Sequence, residues 1–295
     1  MKPAEFEERE YEAPLYNQLE RSVTMLWSPG QVLEGLIGID RASMVHDLEF
    51  FWRTIGLSRI PRGAVLSRYV WPFSWGPRSS QQQLPNFRLN LFLQAKRSHF
   101  SSRTPKAMKA MGLQGPMWAF FIDEGQQRLL EYLSKRVKGR AHVAYAAPVF
   151  HEKRHLFLHT RARTIVANST FPSVIRLRGH KGWYYQRQGA VGVANPDPEL
   201  IEEPSLIQRL QHMINEDALR PVIDELPLES LAEHVIAAVG NQRLPESFLR
   251  AQFFDELQEI DRLSEQFNLV PTARAYMQVS LFADTFALVW LVVSG

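Results

Sequence analysis

The 295-residue chain contains no cysteine, which excludes disulfides, thiolate catalysis and Cys-type zinc sites and suits a reducing compartment. Its 45% hydrophobic and 22% charged residues exclude a disordered chain and allow one large domain or two ordinary ones around a real core. The net charge of +3 hides a sharp division. Residues 1–49 hold 4 Lys/Arg against 10 Asp/Glu (net −6), residues 50–190 hold 24 against 4 (net +20), and residues 191–295 hold 6 against 17 (net −11). No acid occurs between Glu49 and Asp123. A basic segment of that size either binds a phosphate backbone or pairs with the acidic ends inside one fold. The first turn is crowded with glutamates, unlike a secretory leader. The most apolar stretch, residues 282–293, carries Asp284 and falls short of the roughly 20 residues that a membrane span needs. A cytoplasmic protein without membrane contact is expected.

In chain order, residues 3–22 read as a helix complicated by Pro14, which a first turn tolerates and an interior does not. The helix either begins near Ala13 or kinks there. Glu8, Glu12, Leu15 and Leu19 recur at spacings of four, three and four, so Glu12 lines up with the apolar stripe. A carboxylate there either seeks a cation or answers the helix dipole. After a turn at Ser28-Pro29-Gly30, residues 31–40 (QVLEGLIGID) form an apolar stretch ending in Asp40, a residue that turns also favour. Residues 44–56 follow as an amphipathic helix. Residues 67–85 read as an extended aromatic and basic loop, whose Trp71, Phe73 and Trp75 either stack on nucleic acid or form a small core of their own.

Residues 86–98, NFRLNLFLQAKRS, carry the alternation of a half-buried strand. With a two-residue period, Gln94 and Lys96 leave one face and Ala95 the other. A short basic helix follows at residues 104–112, with Thr104 as cap and Pro105 at its first position. A strand (117–122), a helix (126–138) and a strand (141–147) come next. His151, His155 and His159 fall four apart, a spacing at which a helix face binds zinc or simply presents charge near phosphates. Pieces at TIVAN, SVIRL and WYYQRQG between residues 160 and 195 look like strands. At Asn195-Pro196-Asp197-Pro198 the composition turns acidic and helical, ending in the apolar TFALVWLVV, which is expected to be packed. The fold class expected is α/β, a mixed central sheet flanked by helices, with domain 1–195 and an acidic helical C-terminal region, 196–295.

The LFLQAKR segment resembles the QxK form of the signature of the PD-(D/E)XK nuclease superfamily, nearest in character to Mrr-type restriction endonucleases. The resemblance covers about residues 1–150. It implies a restriction-endonuclease-like fold and a metal-dependent endonuclease, with DNA as substrate and foreign-DNA restriction or phage defence as the setting. It also implies that Asp40 is the central ligand of Mg2+ or Mn2+, Glu12 a second or outer ligand, and Gln94 with the Ala95 carbonyl the remaining protein donors. Lys96 would position the attacking water and stabilise charge on the phosphoryl oxygens. Asp47 and Glu49 are the alternative acids. Arg78, Arg97, Arg103, Lys106 and Lys109 are the expected nucleic-acid contacts. Compact members join the Asp and the QxK strand in a hairpin, whereas here residues 44–86 form an insertion between them. Two other readings stay open: a nucleic-acid-binding protein that does not cut, and an assembly subunit whose C-terminal helices make a homo-oligomer or hold a protein partner.

Overall fold

The computed structural model describes residues 1–22, 26–27, 87–137, 140–218, 228–241, 248–269 and 271–294. The elements in order are β1 (Lys2–Pro3), α1 (Glu8–Ser22), β2 (Leu26–Trp27), β3 (Phe87–Ala95), β4 (His99–Ser101), α2 (Lys106–Ala110), β5 (Met117–Phe121), α3 (Glu124–Arg136), β6 (Ala141–Pro148) and α4 (Lys153–Ala162). They continue with β7 (Ser169–Thr170), β8 (Gly182–Tyr185), β9 (Ala190–Asn195), β10 (Glu199–Glu203), α5 (Leu206–Ala218), α6 (Leu228–Val239), α7 (Phe248–Phe267), α8 (Pro271–Thr285) and β11 (Leu288–Ser294).

The fold is α/β. A five-stranded mixed sheet runs β2-β11-β3-β6-β7, and a six-stranded antiparallel sheet runs β1-β4-β5-β8-β9-β10. In the mixed sheet β3 and β6 are parallel, joined by a connection that includes α3, while β11 runs antiparallel to β3 on its other side. Both ladders of β3 are therefore filled. Its alternation sends Leu89, Leu91, Leu93 and Ala95 into a cluster with Tyr11, Leu15 and Leu19 of α1 and Leu206 and Leu210 of α5. Phe92 goes the opposite way, into a cluster with Leu130 of α3, Phe253 of α7 and Phe282 of α8. The strand is thus buried on both faces, not half-buried as its pattern suggested; a parallel neighbour with helices on either side requires that.

Several local expectations are corrected. Helix α1 starts at Glu8 and contains Pro14, so it does not begin near Ala13. Thr104 does not cap α2; its hydroxyl donates to Gly115 O (2.6 Å). TIVAN and SVIRL form 3-10 turns at Val166–Asn168 and Val174–Leu177, and only WYY is a strand. The apolar end splits into the end of α8 and strand β11. The division expected at 195/196 is not a division of the core. Phe92 lies edge-on to Phe282 (6.0 Å between centroids) and stacks with Trp290 (6.4 Å, 13°), so the C-terminal helices and strand share one interior with β3. No described helix is long and apolar enough to cross a membrane.

Candidate functional site

The site is built where β3 stops. The ladder with β6 continues one step past Ala95, through Lys96 N to Ala146 O (2.8 Å). The next amide, Arg97 N, donates to the Glu8 carboxylate (3.0 Å) at the first turn of α1. Ala4 N then donates to Ser98 O (2.9 Å), and the Ser98 hydroxyl to Phe150 O (2.7 Å). The acidic N-terminal segment therefore closes the end of β3 with its own polar groups.

Gln94 and Lys96 share the α3 side of the sheet, as their spacing implies. Gln94 is 1% exposed and Lys96 9%. The Lys96 ammonium donates to Gln126 Oε1 (2.7 Å), and Gln126 Nε2 donates to Gln94 Oε1 (2.6 Å) and to Phe286 O (3.3 Å). An ammonium has donors only, so it dictates which end of the Gln126 amide it meets, and that in turn presents the Gln126 amino group to the Gln94 oxygen. Gln94 Nε2 is left to bond Ala95 O (3.2 Å). Gln126 is held at the start of α3 by its own backbone, whose N–H donates to the Asp123 carboxylate (2.8 Å), the helix cap. The Lys96 ammonium also lies 5.8 Å from the centre of the Tyr145 ring, a cation–π distance. Burial pushes the Lys96 pKa down, and the Glu8 and Asp123 carboxylates partly offset this.

On α1 the acid that reaches the motif is Glu8, one turn before the expected Glu12. Glu12 is half-buried, and it has no hydrogen bond or ion pair among the described residues. Burial raises its pKa, and the charge of Glu8 raises it further. One turn on, the Tyr16 hydroxyl is shut off from solvent and finds no hydrogen-bond partner among the described residues. Its pKa is pushed well up, first by burial and then by Glu12. Glu8, Glu12 and Tyr16 thus form a polar stripe along α1 that starts at the end of β3; the charge of Arg9 offsets part of the rise at Glu12, and Lys96 lies within the field of Glu8.

Of the other expected residues, Ala95 turns to the α1 side, and its carbonyl is the one that Gln94 bonds. Arg97 is committed within the fold: its guanidinium bonds Ala4 O and pairs with Glu7 (2.9 Å). Arg103, Lys106 and Lys109 are exposed on and beside α2, which packs through Met108 against Val193 of the six-stranded sheet. Asp40, Asp47, Glu49, Arg78 and the aromatic loop lie outside the described residues. His151 precedes α4 and stacks flat on Phe100 (4.1 Å, 1°), and His159 Nδ1 meets the Thr164 hydroxyl (2.8 Å), so the three histidines do not share a helix face. Among the described residues no group of three or more His, Cys, Asp or Glu could hold a metal ion. Sequence reasoning missed Glu8 and Gln126. The four-residue spacing to Glu12 signals the first; nothing local signals the second.

Neither a family model, nor a curated protein, nor a solved structure matches this chain.

Proposed function

We propose that the chain is a metal-dependent nuclease with a restriction-endonuclease-like fold, of the PD-(D/E)XK superfamily and its QxK, Mrr-like branch. The observation that supports this best is the end of β3. There an amide and an ammonium emerge side by side, locked by Gln126, beside a carboxylate from the first helix and on a strand whose parallel partner follows a helical crossover. The half-buried Glu12 carboxylate, its pKa raised mainly by burial, and the orphaned Tyr16 hydroxyl on the same helix suit a hard cation, Mg2+ or Mn2+, and the resemblance would add Asp40, Gln94 Oε1 and the Ala95 carbonyl as its other oxygen donors. Such an ion, when bound, supplies a nucleophilic water and neutralises charge on the phosphoryl oxygens.

The protein's own groups have separate tasks. Lys96, fixed at one point by Gln126 and with two donors left over, orients a water and holds charge that builds on the scissile phosphate. Gln94 brings a neutral oxygen where related signatures carry a carboxylate, which lowers the negative charge offered to the cation. The basic middle of the chain, Arg103, Lys106 and Lys109 included, draws in DNA. The test is nicking of supercoiled plasmid with Mg2+ or Mn2+: wild type should cut, while Lys96→Ala and Asp40→Ala should not cut and should still bind. Equal cutting by all three would place the activity elsewhere.

A second reading is favoured by one feature. β11 and β6 occupy both ladders of β3, and Gln94 Oε1 already accepts a hydrogen bond. That arrangement suits a nuclease-like protein that grips nucleic acid without cutting, for which all three proteins would bind and none would nick.

A further inference from the structure

We propose that the groove between α1 and α4 is a binding site for a nucleotide of an unpaired nucleic-acid strand. The assignment rests on the nucleic-acid half of the reading above and not on cleavage.

The groove encloses about 790 Å³, within the range of sites for nucleotide-sized ligands. Pro14 and Asn17 line one wall, and Phe157, Thr160 and Arg163 the other. It lies on the flank of α1 away from Glu8 and Glu12, since the groove-lining residues Glu10, Ala13, Pro14 and Asn17 fall on the helix side opposite to that stripe. Phe157 is 63% exposed and its neighbour Leu158 58%, an unusual display of apolar surface on a helix with Arg161 in its last turn.

Charge selects the occupant. The one carboxylate in the lining, Glu10, is already paired with Lys153 (2.7 Å). Arg161 and Arg163 are exposed and have no carboxylate partner among the described residues. Arg163, which lines the groove, ends α4 in the left-handed conformation (φ 57°), which Gly or Asn adopts at lower cost. An aromatic face beside the unpaired Arg163, with exposed Arg161 one helical turn on from Phe157, is the combination that stacks a base and holds its phosphates. An apolar peptide in the same place would bury the Arg163 cation without a partner. A base inside a duplex keeps its faces stacked, so the groove takes an unpaired strand.

The full-length protein in EDTA, titrated into a short fluorescein-labelled oligothymidine, reads the site by anisotropy without any cutting. Phe157→Ala should weaken binding about tenfold and Phe157→Trp should restore it. Arg163→Asn, which suits the left-handed backbone, should weaken it and flatten the salt dependence. Duplex binding should stay within about twofold in each, and the exposure of Phe157 lets circular dichroism verify an unchanged fold. Variants that bind oligothymidine as the wild type does, or that lose duplex and single strand equally, would overturn the assignment. Plasmid cutting with no effect at Phe157 rejects the groove and leaves the nuclease; a Phe157 effect with no cutting does the reverse.

Discussion

Gln126 stands between Lys96 and Gln94, accepting from the first at 2.7 Å and donating to the second at 2.6 Å. It is the one described side chain that hydrogen-bonds both. Gln126→Leu removes the acceptor of a desolvated ammonium, so the Lys96 pKa should fall further, and Gln126→Glu should raise it. If protonated Lys96 is the working form, the alkaline limb of the pH–rate profile should move down by about one pH unit in the first variant and up in the second. Identical profiles would show that Lys96 does not set that limb.

Glu12 gives a test that needs no activity. Its pKa is raised in the folded protein, mainly by burial and then by Glu8, so the folded state holds a proton more tightly than the unfolded chain does. Stability is therefore lost as pH rises through the carboxylate range, and it stays lower at neutral pH. Glu12→Gln should raise Tm in EDTA by about 2 °C and cancel any rise in Tm that Mg2+ or Mn2+ brings to the wild type. A variant that the metal still stabilises in full would remove Glu12 from the ligand set.

Acid should destabilise the fold through His142. Its Nε2 is buried without a partner among the described residues, and burial, helped by the charge of Arg209, pushes its pKa down to about 3. The unfolded chain takes up that proton near pH 6.5, so this contribution is complete above about 6.5 and lost as pH falls toward 3, at more than about 1 kcal/mol per pH unit. His142→Leu should move the acid unfolding midpoint to lower pH; an unmoved midpoint would assign acid sensitivity to other groups.

Trp290 ties β11 to β3 by stacking on Phe92 and by its Nε1–H, which donates to Asn90 Oδ1 (2.9 Å). Trp290→Ala should cost about 3–5 kcal/mol in urea unfolding. A loss under about 1 kcal/mol would mean that β11 is a peripheral strand.

The surface of α2 should act through charge alone. Replacing Arg103, Lys106 and Lys109 together by Glu should weaken DNA binding without sequence preference and lower the slope of log K against log salt by about 3. An unchanged slope would place the phosphate path elsewhere.

What could be read from sequence was what local periodicity encodes. The alternation along β3 put Gln94 and Lys96 on one face and Ala95 on the other, and the run from β5 through α3 to β6 was legible because each element has its own period and its own breakers. The partner strand was not. Leu288 lies opposite Gln94 across almost two hundred residues of chain, and pairing at that separation leaves no local trace. Gln126 was invisible for the same reason, since a glutamine near a helix start means nothing until Lys96 arrives beside it. The choice between Glu8 and Glu12 turned on where α1 begins, the least certain feature of any helix read from sequence. TIVAN and SVIRL misled because β-branched residues also suit short turns under a core.

The position of β11 bears on how the molecule matures. During synthesis it leaves the ribosome after every other described strand of its sheet, yet it fills an interior slot, between β2 and β3. Until it docks, one side of the strand carrying Gln94 has no ladder, and the Phe286 carbonyl that anchors Gln126 is not in place. Nascent chains consequently pass through translation with the Lys96 neighbourhood unassembled, and it is completed only after residues 288–294 have emerged and closed the sheet.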